Sequence, residues 1–210
     1  MHRYEHWIAR RYLANALRTS RFAKLPRSDS DVVAWLETHG RSVGLPQPPP
    51  GVCTGRKSRR DEVYALIAAW PQWRRALIAA GRETPPSPSP LQRRIEWLAS
   101  ACALTQEQSS TFGLLARAML SPKVLALIEA VSGRYRLDLA VLDGSDLGQL
   151  LEGRAADDEL SPEGRLAQLG LIDARNGARR SNVARRILAL PRLAARTSAT
   201  SFSASPKPRR

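Results

Sequence analysis

Apolar residues recur three and four positions apart along most of this chain, with few β-branched runs, so the hydrophobic pattern is helical from end to end. In the first 25 residues Tyr4, Ile8 and Tyr12 interleave with Trp7, Leu13 and Leu17, while Arg3, Arg10, Arg11, Arg18 and Arg21 fall between them. This predicts a basic amphipathic helix that packs its apolar stripe on the rest of the protein. In isolation the same pattern would suit an anionic membrane or an acidic partner. Ser28 to Asp31 offer caps for a helix "VVAWLETHG" that should stop at Gly40. Over residues 58–81, Val63, Leu66, Ile67 and Trp70, then Trp73, Leu77 and Ile78, give two apolar helical stretches, with Pro71 breaking or kinking the helix between them. Trp70 and Trp73 beside Arg74 and Arg75 could stack single-stranded nucleic acid. Indoles at helical spacing are more commonly core anchors.

The stretch 84–90, "TPPSPSP", is polyproline-like and reads as a linker. Beyond it the pattern is regular. Leu91, Ile95, Leu98 and Cys102 share one helical face; Thr105 and Gln108 form a T-x-x-Q capping box ahead of the next helix; Ser121 and Pro122 open a third, which Gly133 should close. Three helices with short connections predict an antiparallel bundle. Further helical segments follow at 137–153 and 154–160, then an apolar run "LGLID" at 169–173 and the turn Ala174 to Gly177, whose Asn-Gly pair favours a tight hairpin. Helices followed by a strand, a hairpin turn and a return segment have the shape of a winged helix. The expected organisation is a mostly α protein in four parts: a basic helical region 1–83, the linker 84–90, a helical bundle plus winged-helix-like domain 91–190, and a disordered basic tail 191–210.

The segments "RIEWLASACALTQEQSSTFGLLARAMLSPKVLALIEAVSGRYRLDLAVL", "DLGQLLEG" and "GRLAQLGLID" resemble the helical and winged-helix-like region that precedes the motor in a group of bacterial AAA+ ATPases. The resemblance spans about residues 91–190 and implies a recognition or regulatory module that engages protein. In that family Walker A and B motifs follow. Here the sequence after Pro191 loses apolar periodicity and carries no Walker A, so none of the family's catalytic residues carries over.

Composition narrows the chemistry. The 210 residues carry a net charge of +14, with 33 Lys and Arg against 19 Asp and Glu. Such a balance invites nucleic acid, yet it is uneven: residues 1–90 hold 15 basic and 7 acidic side chains, 91–190 hold 13 and 12, and the tail holds 5 and none. Arginine outnumbers lysine 29 to 4, as a GC-rich genome would also produce. Cys53 and Cys102 are far apart, and His2, His6 and His39 lie elsewhere, so neither a zinc site nor a disulfide framework is expected. Near residues 51–58, "GVCTGRKS" resembles a phosphate-binding loop, but Arg56 separates Gly55 from Lys57 and a proline run replaces the preceding strand. Asp143, Asp146, Asp157, Asp158 and Glu159 have no His or nucleophile at useful spacing. No cofactor and no catalytic constellation are expected.

For DNA, the helix in the recognition position would be the acidic 155–160 segment, which repels phosphate. Against that, Arg175, Arg179, Arg180, Arg185 and Arg186 cluster on the expected wing and final helix as a backbone-binding stripe. The sequence therefore favours a protein partner, with DNA binding through these arginines as the alternative. No stretch approaches a membrane span and no signal peptide opens the chain, so no membrane partner and a cytoplasmic location are expected.

Overall fold

The computed structural model describes residues 2–24, 31–48, 59–133, 144–152, 160–161 and 163–172. Among them helices dominate and no strand occurs: α1 (Arg3–Arg18), α2 (Asp31–Trp35), α3 (Arg59–Ala80), α4 (Pro90–Ala101), α5 (Gln106–Leu120), α6 (Pro122–Ser132), α7 (Gly144–Leu150) and α8 (Arg165–Gln168).

α1 is the hub. Trp7, Tyr12, Leu13, Ala16 and Leu17 are buried, and so is Asn15, whose side-chain amide donates to the Leu150 carbonyl of α7 at 2.9 Å. The second half of α1 is thus wrapped on most sides by α3, α6 and α7, which is more burial than a single amphipathic stripe predicts. Four tryptophans then pin the backbone around this core, each donating its indole N–H to a distant carbonyl. Trp7 reaches Glu83 (2.8 Å), Trp35 reaches Lys123 (2.9 Å), Trp70 reaches Phe22 (3.2 Å) and Trp73 reaches Pro46 (2.9 Å). A buried indole both fills volume and satisfies a carbonyl that water would otherwise have to solvate. Trp70 and Trp73 are core residues, packed edge to face at 5.9 Å.

The main core draws Leu13 and Leu17 of α1, Trp70 and Leu77 of α3, Leu114 of α5, Leu127 of α6 and Leu147 of α7 into one cluster. Side chains from both sides of the 84–90 stretch therefore fill a single interior. α5 divides the molecule: its Leu114, Leu115 and Ala118 face this core, while Phe112 and Ala116 join Ile95, Leu98, Leu166 and Leu171 in a smaller cluster between α4, α5 and α8.

The expected helix signals at α5 and α6 hold at atomic detail. Thr105 Oγ1 accepts from Gln108 N–H and the Gln108 side chain accepts from Thr105 N–H, closing the capping box. Pro122 starts α6 and Gly133, at φ +72°, ends it in the left-handed conformation.

Three expectations change. α2 does not stop at Gly40, which stays helical (φ −54°) within a wide-turn segment Leu36–Gly40; a further short turn Arg41–Val43 carries the chain to Gly44, whose φ of +77° makes the reversal. Pro71 does not break its helix. It lies on the exposed side, so the one hydrogen bond it removes, to the Ile67 carbonyl, is lost where water can replace it, and buried Trp70 and Trp73 anchor both sides. Residues 169–172 form no strand. Gly170 (φ +65°) terminates α8, the Leu171 N–H closes onto the Leu166 carbonyl at 2.9 Å, and Leu171 tucks into the small core. The apolar run buries itself by folding back on its own helix. The expected recognition helix 155–159, the hairpin turn 174–177 and the tail lie outside the described residues.

Candidate docking surface

Among the described residues the most concentrated polar chemistry is inside the molecule. Arg117 of α5 is 2% exposed and its guanidinium is fully engaged: Nε donates to Glu5 Oε2 at 2.8 Å, one terminal nitrogen to Gln92 Oε1 at 2.6 Å and the other to the Gly113 carbonyl at 3.1 Å. The Tyr4 ring lies beneath it, 5.9 Å away. The other oxygen of Glu5 accepts from the Ser89 hydroxyl, and Ser89 in turn caps α4 by accepting from the Gln92 N–H at 3.0 Å. Gly113 makes room, since a Cβ there would stand 3.0 Å from the arginine's terminal nitrogen. Burial works against the charge of Arg117, but Tyr12 and the Glu5 carboxylate outweigh it and hold the arginine more firmly protonated than usual. Burial likewise raises the Tyr4 and Tyr12 phenols. These bonds tie α1, α4 and α5 together. Among the described residues no group of three or more His, Cys, Asp and Glu is placed to hold a metal ion.

The outer face of α3 is different. Tyr64 is 59% exposed and Ile67 50%, and Ala68 and Pro71 are exposed beside them. Steps of three and four residues put Tyr64, Ile67 and Pro71 on one helical stripe, turned away from the Trp70, Trp73 and Leu77 face. The same stripe continues into Arg74 and Arg75. There the turn after α1 crosses α3: Arg74 Nε donates to the Leu17 carbonyl at 2.7 Å, and Trp70 reaches the Phe22 carbonyl. The crossing segment carries Arg18, Arg21 and Lys24, with the Arg21 guanidinium turned toward Gly133 at the end of α6, and among the described residues none of Arg18, Arg21, Lys24, Arg74 and Arg75 is in an ion pair. Arg75 Nε folds back onto the Pro71 carbonyl at 3.3 Å, and the Arg21 guanidinium lies 5.5 Å over the Phe22 ring.

Trp97 of α4 is the one tryptophan that is not buried: it is 53% exposed, a turn after Arg93 and Arg94. It forms a second, smaller patch.

The residues singled out from sequence fare unequally. Arg175, Arg179, Arg180, Arg185 and Arg186 lie outside the described residues, as does the loop 51–58. Trp70 and Trp73 are buried and present no stacking platform. The sequence pattern does not single out Tyr64, and it groups Ile67 with the apolar positions of Val63, Leu66 and Trp70. The signal was available: the apolar positions of α3 span too wide an arc for one stripe, because Tyr64, Ile67 and Pro71 fall off the line through Trp70, Trp73 and Leu77.

No protein-family model, no curated protein and no solved structure matches this chain. No helix among the described residues is long and apolar enough to cross a membrane.

Proposed function

We propose that this chain is a non-catalytic docking module that engages another protein, a role like that of the region it resembles ahead of the motor of bacterial AAA+ ATPases. The observation that carries the reading is the α3 stripe. Tyr64 and Ile67 are large apolar side chains held in water at helical spacing, next to a core that buries Trp70, Trp73 and Leu77 and half-buries Leu66 and Ile78 of the same helix. Grouped exposed apolar side chains mark contact surfaces more often than chance, and a helix face with anchors three and seven apart suits a partner helix or groove. The buried Arg117 network supports the reading by fixing the frame on which such a face is displayed.

A photo-crosslinking residue at position 64, introduced in the cells that make the protein, tests this. A discrete, protease-sensitive adduct at 64 and none at exposed Glu107 is expected. No adduct at 64, or the same adduct at both positions, contradicts docking through this face. A nuclease-sensitive adduct instead favours the alternative, DNA binding. That alternative also requires retention on heparin that falls steeply with salt and drops on Arg179→Ala/Arg180→Ala.

A further inference from the structure

We propose that the occupant of the α3 face is an acidic amphipathic helix, an inference that rests on the docking reading above and adds the partner's chemistry. The stripe is narrow and apolar, and one end of it runs into Arg74 and Arg75, neither of which is in an ion pair among the described residues. Both are pre-positioned. Arg74 and Arg75 are each held by their Nε on a backbone carbonyl, and among the described residues their terminal nitrogens make no other bond. A guanidinium fixed in this way presents its remaining N–H groups as a fork for a carboxylate, with less side-chain entropy left to lose on pairing. Arg18 and Lys24, both exposed, add positive charge on the segment that crosses α3. A partner helix with apolar residues every three to four positions would lie on Tyr64, Ile67 and Pro71 and set its own acidic residues against the forks.

Other occupants fit less well. A second copy of this chain would bring a like-charged cluster against the first. Nucleic acid would use the cations and could stack one base on Tyr64, but Ile67 and Pro71, which lie between that ring and the arginines, offer no aromatic face for the next base. An anionic bilayer needs a broad apolar face that inserts, whereas α3 buries its broad face on α1 and exposes only a stripe.

The test is selection from a displayed library of random helical peptides of about 14 residues, roughly four turns, against the full chain. Recovered peptides are expected to be net negative, with apolar residues at helical spacing. Their affinity should fall about tenfold or more on Ile67→Glu, severalfold on Arg75→Lys, which keeps the charge but loses the fork, and further with added salt. Circular dichroism and thermal melting check that each variant folds; Tyr64→Ala serves if Ile67→Glu does not. Neutral or basic peptides that Ile67→Glu still releases would overturn the acidic partner and leave docking at α3 standing. Peptides indifferent to both α3 variants, or no peptide recovered, would overturn both. Tighter binding of single-stranded oligonucleotide or phosphatidylserine vesicles, lost on Arg75→Ala, would overturn the acidic helix in favour of that ligand.

Discussion

Arg117 sits between a carboxylate and two tyrosines with almost no access to water, so its charge depends on Glu5. Removing one partner of a buried pair leaves an unpaired charge and costs about 3–5 kcal/mol. Glu5→Gln should therefore lower the unfolding free energy by about that amount in a urea titration. Replacing both members with apolar residues, Glu5→Leu with Arg117→Met, should recover much of the loss. A double variant no more stable than Glu5→Gln would mean that Ser89, Gln92 and the Gly113 carbonyl need the arginine as much as Glu5 does. Nothing in the sequence pairs residue 5 with residue 117: the two are brought together by packing, and a lone arginine in an apolar helical run looks like any solvated cation.

α3 shows what helical periodicity can and cannot reveal. Its Trp70, Trp73 and Leu77 line is legible because those side chains repeat at helical spacing, and so are the capping box at Thr105 and the stop at Gly133, which are local backbone devices. Pro71 misleads, because the cost of a proline depends on whether the lost hydrogen bond faces protein or water, and that is a tertiary property. Gly81, just past the end of α3, was silent in the sequence but sits hard against α1: an added Cβ would lie 2.3 Å from the Ala14 Cβ and 2.8 Å from the Arg10 carbonyl. Gly81→Ala should force the helices apart at a cost of about 1–3 kcal/mol, seen as a melting temperature several degrees lower. An unchanged melting temperature would show that the end of α3 can move aside freely. The run at 169–172 failed as a strand for a related reason. Its leucine and isoleucine serve any buried turn equally well, and only Gly170 distinguished a helix terminus from a strand.

At the scale of the whole molecule, two histidines couple stability to pH. Burial lowers the pKa of His6 and of His39 below the ordinary 6.5, with nearby Lys123 adding to both. His6 Nε2 is also buried, with no hydrogen-bond partner among the described residues. The unfolded chain thus takes up these protons first, so their contribution to stability is complete above pH 6.5 and is lost as pH falls through the lowered folded-state values. Denaturation midpoints should decline below pH 6.5, and His6→Gln should flatten the decline; an undiminished slope in that variant would remove His6 from the account. The helical class was legible in the periodicity of the entire chain. The exposed stripe on α3 was not, because exposure of an apolar residue is decided by which neighbours the fold supplies.

The central claim is that Tyr64 and Ile67 are held in water for binding and not for folding. It is tested most directly by introducing Ile67→Glu and following melting temperature and crosslinking from position 64 in the same protein. The account predicts a melting temperature within about 2 °C of the parent, as for other exposed substitutions, together with loss of the protein adduct. A variant that melts far lower would place Ile67 in the folding core, and one that retains the adduct would show that the partner does not use this face.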